Sequence, residues 1–335
     1  MTMTDFSAVA ETPLDAGQTE RLFDRIFGGE LAEAEIVSYL TATAERRPTV
    51  DEVVGAVRSM RRHMRAGAAP DGAIDLCGTG GDGHGTLNIS TAVSFVAAGA
   101  GVPVAKHGNR SASSKSGAAD ILEAMGVNLT LEPDAAARVL ARTGIVFLFA
   151  QVHHPAMRHV AAARRQIGRR TIFNLLGPLA SPARVTRQLV GIFGREWLTP
   201  YAEALRDLGS RRALVVHGAD GLDELTTTDV TFFASLDDGA ITHGEIAPED
   251  AGLSRAGLAD IKGGDAAYNA EALRRLFDGA SGPYRDIVLL NAGAALLVAG
   301  AAKDVKDGVA LAAQSLDSGA AAGKLEALIE ASNDD

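Results

Sequence analysis

The chain has 335 residues, 47% of them apolar, with 32 basic against 42 acidic side chains and a formal net charge of −10. That length gives room for one large domain or two unequal ones, and the acidic balance excludes a general nucleic-acid or anionic-membrane surface. A single cysteine, Cys77, excludes an internal disulfide framework and fits a reducing cytoplasm.

Residues 1–16 show no periodic pattern and read as a disordered tail. Residues 17–70 read as a small helical domain. Leu22, Phe23, Ile26 and Phe27 share one helical face, and Gly28-Gly29 stops that helix. A second helix fills 31–44, and a third, over 49–64, opens with Thr49 as N-cap and Glu52 three residues on. Arg61, Arg62, His63 and Arg65 at its end suit the negative end of the helix dipole and a solvated face. Gly67 and Pro70 mark a linker into the first strand.

From 71 to 335 strand and helix signals alternate, the pattern of an α/β domain with a mainly parallel central sheet flanked by helices. Strands are expected at 73–77, 102–106, 146–149, 189–193, 213–217 and 230–234. Helices are expected at 92–100, 116–125, 133–142, 156–167, 199–208, 266–277, 286–301, 304–315 and 318–331. The longest apolar run, 287–302, contains Asn291 and is short for a membrane span, so it reads as a buried core helix.

The stretch 75–91 dominates the domain. After its strand come Gly78, Gly80, Gly81, Gly83 and Gly85, then Asn88-Ile89-Ser90-Thr91 ahead of a helix. Glycines let backbone N–H groups approach an anion, and the helix start adds unpaired donors. Gly78-x-Gly80-x-x-Gly83 satisfies a dinucleotide fingerprint, yet the next strand ends in Lys106-His107 and not in the carboxylate that would hold a ribose. No Gly-Lys-Ser/Thr is present, so a Walker loop is excluded. Asp82 inside the loop would repel phosphate unless a metal or a hydroxyl lies between, which points to a ligand with phosphates, a sugar and Mg²⁺.

The second motif, KHGNRSASSKSGAAD over 106–120, carries Lys106, Arg110 and Lys115 with no acid before Asp120 and reads as an anion site. The third, 153–178, carries Arg158, Arg164, Arg165, Arg169 and Arg170. Most of these are surface charge, and one facing the cleft could clamp a carboxylate bidentately. The fourth, HGADGLDE over 217–224, places Asp220, Asp223 and Glu224 on a glycine turn able to hold a hard cation. His107 and His154 are polar wall candidates, neither assigned as a base.

Together, GTGGDGHGTLNIST, KHGNRSASSKSGAAD, HHPAMRHVAAARRQIGRRTIFNLLGP and VVHGADGLDEL resemble the anthranilate phosphoribosyltransferases over nearly the whole chain. The resemblance implies a small helical domain hinged to a larger α/β domain of the nucleoside phosphorylase and phosphoribosyltransferase type, acting as a cytoplasmic homodimer. It implies Mg²⁺-dependent transfer of the 5-phosphoribosyl group of phosphoribosyl diphosphate to the amine of anthranilate in tryptophan biosynthesis. By position it assigns Gly78, Gly81, Asp82, Thr86, Asn88, Ile89, Ser90 and Thr91 to phosphoribosyl diphosphate. From the second motif it adds Lys106, His107, Gly108, Asn109, Arg110, Ser111, Ala112, Ser113, Ser114 and Ala118. It assigns Gly78, Asn109 and Arg164 to anthranilate, and Ser90, Asp223 and Glu224 to the metal. Part of 155–182 is expected to return to the helical domain. Departures from the pattern are Ala118 for a serine, Leu87 for a phenylalanine, and Ala162-Ala163 without a proline. A pyrimidine nucleoside phosphorylase and a non-catalytic nucleic-acid-binding relative of the same fold are the alternatives; neither a membrane nor a nucleic acid is expected as a partner.

Overall fold

The computed structural model describes residues 6–111 and 115–334. The N-terminal unit is three helices: α1 (Ala16–Phe27), α2 (Glu33–Ala44) and α3 (Val50–His63). Asp15 and Gln18 form a capping box at α1, and Thr49 and Glu52 form the expected one at α3. Gly55 lets α1 and α3 meet closely, since a Cβ there would lie 2.3 Å from the Ala16 carbonyl oxygen. The disordered tail expected over 1–16 is corrected for the described part. A short 3-10 turn at Ser7–Ala10 leaves Phe6 and Val9 buried, with Phe6 edge-on to the Tyr39 ring at 5.7 Å. Two apolar anchors suffice for that docking and leave no periodic trace in so short a segment.

Glu52 also closes this unit electrostatically. Its side chain is fully buried and accepts from Arg46 Nη1 at 2.8 Å, from the Thr49 N–H at 2.9 Å and from the Leu14 N–H at 3.3 Å. Burial pushes the carboxyl up, but the Arg46 and Thr49 bonds outweigh it and hold the group below its usual range. Arg46→Ala is therefore expected to cost about 3 kcal/mol in urea unfolding at neutral pH, because a buried carboxylate is left unpaired. The folded pKa is depressed, so the contribution is present above the unfolded value. The wild-type advantage should shrink as pH falls below about 4.

Among the described residues one seven-stranded sheet forms the centre, in the order β3-β2-β1-β4-β5-β6-β7. Its strands are β1 (Ile74–Gly78), β2 (Val104–Gly108), β3 (Ile145–Phe149), β4 (Arg187–Gly191), β5 (Arg212–Gly218), β6 (Thr231–Asp237) and β7 (Ala240–Ile246). β1 to β5 run parallel, and β6 and β7 close the edge as an antiparallel hairpin. β7 was not expected from the sequence: it lies mostly exposed at the edge and lacks an alternating apolar pattern. Its turn is legible afterwards in Asp238-Gly239, both at positive φ, the requirement of a two-residue hairpin.

The remaining helices are α4 (Ile89–Gly99), α5 (Ala118–Ala124), α6 (Pro133–Thr143), α7 (Ala150–His153), α8 (Ala161–Ile167), α9 (Phe173–Leu179) and α10 (Leu198–Asp207). They are followed by α11 (Ala266–Phe277), α12 (Pro283–Ala299), α13 (Val305–Asp317) and α14 (Ala320–Asp334). The single helix expected over 156–167 is instead a 3-10 turn at Pro155–His159 followed by α8. α12 is buried along nearly its whole length, as its composition suggested.

The two faces of the sheet bury different cores. Leu189, Leu214 and Val216 point to the side of α4 and α11–α14. Val190, Ile192, Ala213 and Val215 point to the side of α10 and the N-terminal helices. The stretch 155–182 joins that second core: Phe173 lies 5.6 Å from Phe23 and 6.3 Å from Phe27, ring to ring. Because β2 and β4 flank β1, the connections leave β1 in opposite directions and open a crevice at its carboxyl end.

Candidate functional site

The crevice is floored by glycine. The β1–β4 register sets Gly78 opposite Gly191. A Cβ at Gly78 would meet Asp223 Oδ2 at 2.6 Å, and one at Gly191 would lie 1.5 Å from the Asp223 carbonyl oxygen. The loop after β5 therefore lies directly on the ends of β1 and β4. The Gly80 N–H donates to Asp223 Oδ2 at 2.7 Å, tying that loop to the glycine loop.

Gly80, Gly81, Gly83 and Gly85 all adopt positive φ, between 60° and 83°, a region where side chains are strained. The N–H groups of Gly81, Asp82, Gly83 and Gly85 have no hydrogen-bond partner among the described residues. Four free donors in one tight loop, beside the start of α4, make an anion cradle. Asn88 stands at the N-cap of α4 without a side-chain cap bond; its Oδ1 accepts from Asn269 Nδ2 at 2.8 Å instead. Ile89 is buried, so its side chain serves the core. Thr86 pairs with Lys262 in an isolated bridge, and Thr91 is buried in the first turn of α4.

Asp82, Asp223 and Glu224 crowd together beside Ser90. Burial, then the Asp82 charge, raises the Asp223 carboxyl well above its ordinary range. Burial, then Asp223, does the same to Glu224, opposed by Lys106 and the Ser90 N–H. Half-buried carboxylates in mutual repulsion are what a divalent cation would relieve, and the donor set is all oxygen. No group of three His, Cys, Asp or Glu suited to a metal occurs among the described residues. Mg²⁺ asks for less, keeping waters and using one or two carboxylates plus substrate phosphate. The residues present fit that ion.

The second motif is only partly as expected. Lys106 is buried, and its Nζ donates to the Leu76 carbonyl and, at 3.2 Å, to Ser90 Oγ. Arg110 pairs with Asp120 at 3.0 Å and Glu123 at 2.8 Å and lies over the Phe149 ring. The three cations of this motif therefore stand in different surroundings: Lys106 ties β1 to α4, Arg110 is paired with α5, and Lys115 is exposed. The Ser111 N–H is held by Asp120. Asn109 Oδ1 accepts from the Arg110 N–H at 2.8 Å, Gly108 packs against Phe147, and Ala118 opens α5 beside Gly108. Ala112, Ser113 and Ser114 lie outside the described residues.

His107 is buried at the end of β2. Its N–H donates to Asp75 Oδ1 at 2.9 Å, and its Nδ1 faces the Gly177 carbonyl at 3.1 Å, so that nitrogen carries the proton. The ring lies 5.1 Å from that of His154. Burial, then His154, pushes His107 far down, and burial brings His154 to about 4. Both rings are neutral at pH 7. Arg164, on α8, stacks over Phe173 at 5.4 Å and has no acidic partner among the described residues. Burial alone lowers its pKa. A half-buried guanidinium with no acidic partner among the described residues can receive a carboxylate.

Sequence reasoning missed Gly191, Phe193, Lys262 and Asn269, and left Arg170 among the surface charges. The Lys262-Gly263-Gly264 run ahead of α11 was a usable signal.

The chain matches the helical bundle domain of a glycosyl transferase family over residues 8–64 and the a/b domain of that family over 71–322. It is 54% identical to an anthranilate phosphoribosyltransferase of Bradyrhizobium sp. (strain ORS 278), covering 96% of this chain and 95% of the relative. It is 53% identical to one of Azorhizobium caulinodans, covering 96% and 93%. The fold superposes on the Thermus thermophilus anthranilate phosphoribosyltransferase with a TM-score of 0.93, at 41% identity over 98% of this chain and 100% of that one. The Saccharomyces cerevisiae enzyme in complex with PRPP and Mg gives 0.90 at 25% identity, over 98% and 96%.

Proposed function

We propose a reaction on one premise: the chain belongs to the anthranilate phosphoribosyltransferase family. It moves the 5-phosphoribosyl group of phosphoribosyl diphosphate (PRPP) to the amine of anthranilate and releases pyrophosphate, a step of tryptophan biosynthesis. The observation that carries this reading is the loop of four unpartnered N–H groups set against the half-buried carboxylates of Asp223 and Glu224.

The bond from ribose C1 to the diphosphate oxygen breaks as the amine nitrogen bonds to C1, the leaving pyrophosphate takes the electron pair, and the acidic arylammonium so formed gives its extra proton to water or to the departing pyrophosphate. In this reading the amides of Gly81, Asp82, Gly83 and Gly85 receive the diphosphate, and the start of α4 adds its first-turn donors. Asp223 and Glu224, with Ser90 Oγ, would hold Mg²⁺, whose positive charge, when bound, offsets that of the diphosphate. Lys106 fixes Ser90 for that task. Arg164 clamps the anthranilate carboxylate, with Asn109 and Gly78 beside it. His107 and His154, both neutral, form a wall that adds no competing charge. Anthranilate's amine already carries its lone pair, so positioning and electrostatics supply the catalysis.

The helical unit, 17–70 joined by part of 155–182, closes in this reading on the 71–335 domain and shields the activated sugar from water. The same reading has the chain act in the cytoplasm as a homodimer, for which sedimentation equilibrium should return the mass of two chains. No helix among the described residues is long and apolar enough to cross a membrane.

Mixing the protein with anthranilate, PRPP and Mg²⁺ should extinguish anthranilate fluorescence, and omission of PRPP should preserve it. A persistent signal in the full mixture would remove the reading. In the same assay Arg164→Ala should raise the KM for anthranilate by roughly 10- to 100-fold, the value of a charged hydrogen-bonded clamp. The KM for PRPP should hold; a parallel rise in both constants would take Arg164 out of the anthranilate site.

A further inference from the structure

We infer that Arg170 and Lys262 are positioning residues that turn the glycine-loop amides toward the diphosphate by gripping the loop's carbonyls from behind. Arg170 Nη2 donates to the Gly81 carbonyl, and the guanidinium lies 4.3 Å over the Phe193 ring. Lys262 Nζ donates to the His84 carbonyl at 2.5 Å. Neither cation has a carboxylate partner among the described residues.

A trans peptide is planar, with C=O and the following N–H on opposite sides. Holding the Gly81 carbonyl toward Arg170 therefore aims the Asp82 N–H the other way. Holding the His84 carbonyl toward Lys262 does the same for the Gly85 N–H. Both of those N–H groups are among the unpartnered donors of the cradle. A cation on the carbonyl also polarises the peptide and strengthens its N–H as a donor.

The grip comes from two separate parts of the chain. Arg170 sits three residues before Phe173, which packs on the helical unit. Lys262 sits in a strap laid along the loop, with the Gly263 N–H donating to the Gly85 carbonyl and the Leu87 N–H to the Ile261 carbonyl, both at 2.9 Å. Gly263 is pressed so close that a Cβ would lie 2.4 Å from the Thr86 carbonyl oxygen. A glycine-rich loop free in solution would sample many orientations, and these contacts remove that freedom before the ligand arrives.

This inference rests on the loop being a diphosphate cradle. Its test is calorimetric titration of the full-length protein with pyrophosphate and Mg²⁺, beside steady-state kinetics. Arg170→Ala and Lys262→Met should each weaken pyrophosphate binding and raise the KM for PRPP about tenfold, the loss of one charge-assisted bond's worth of order. The KM for anthranilate should stay within about twofold, and the double variant should lose less than the product of the singles, since both act on one loop. Arg170→Lys should recover part of the loss by restoring a donor. Phe193→Leu, which keeps Arg170 and removes its platform, should weaken pyrophosphate in the same sense. Unchanged pyrophosphate affinity in both single variants, or anthranilate KM rising as far as PRPP KM, would overturn the inference. The pyrophosphate titration decides it even for a protein that proves inactive as a transferase, an outcome that would instead overturn the proposed reaction.

Discussion

Asp223→Asn combined with Glu224→Gln is expected to cut Mg²⁺-dependent turnover by about 10³-fold or more, since each group acts where charge leaves the sugar. The same double variant is expected to be more stable than the wild type when no metal is present at high pH. Both carboxyls have folded pKa values raised by burial and by their acidic neighbours. A raised carboxyl pKa means that the folded state binds more protons, so stability is lost as pH rises from about 4 through neutrality. Removing the ionisable groups removes that loss. Melting curves in EDTA at about pH 8.5 should therefore place the double variant above the wild type, and curves at about pH 5 should bring the two closer. Added Mg²⁺ with pyrophosphate should raise the wild-type melting temperature at the higher pH and leave the variant unmoved. A double variant that turns over normally, or that is less stable than the wild type in EDTA at high pH, would show that these carboxylates form no cation site.

Gly191→Ala should be nearly as damaging, although residue 191 carries no chemistry. Its Cβ would sit 1.5 Å from the Asp223 carbonyl oxygen, so backbone must move. The loop bearing Asp223 and Glu224 is the freer partner, because Gly191 is fixed in β4 between β1 and β5. A displacement of about 1 Å at reacting groups costs on the order of 100-fold in rate. The expected result is a folded protein with kcat lowered about 100-fold and a raised requirement for Mg²⁺. Its far-ultraviolet circular dichroism should be retained. Wild-type kinetics at ordinary Mg²⁺ would mean that the Asp223 loop does not need this seat.

Both expectations depend on features of different legibility. Asp223, Glu224 and the glycine loop stand in contiguous runs whose composition suggests their chemistry: glycines whose amides can approach an anion, carboxylates on a turn able to hold a hard cation. The alternation of strands and helices likewise showed a mainly parallel sheet, and Thr49 with Glu52 marked a helix start that the structure reproduces. The β6–β7 hairpin and the docking of Phe6 and Val9 escaped, because an edge strand need not alternate and two buried side chains make no period.

The sequence by itself determined the family, through four motifs that resemble it, and pointed to a phosphate-bearing ligand, since both are written in local runs of glycine, acid and base. Only the tertiary structure decided which cations are available and what each one does. Arg110, in the run that looked most like an anion site, is neutralised by Asp120 and Glu123, and Lys106 is buried against a backbone carbonyl and Ser90. The loop's carbonyls are gripped instead by Arg170 and Lys262, 89 and 178 positions from their partners. The physical reason is that a side chain's charge is local to its residue, whereas its effective charge depends on whatever the fold packs beside it, and spacing along the chain counts the first without seeing the second.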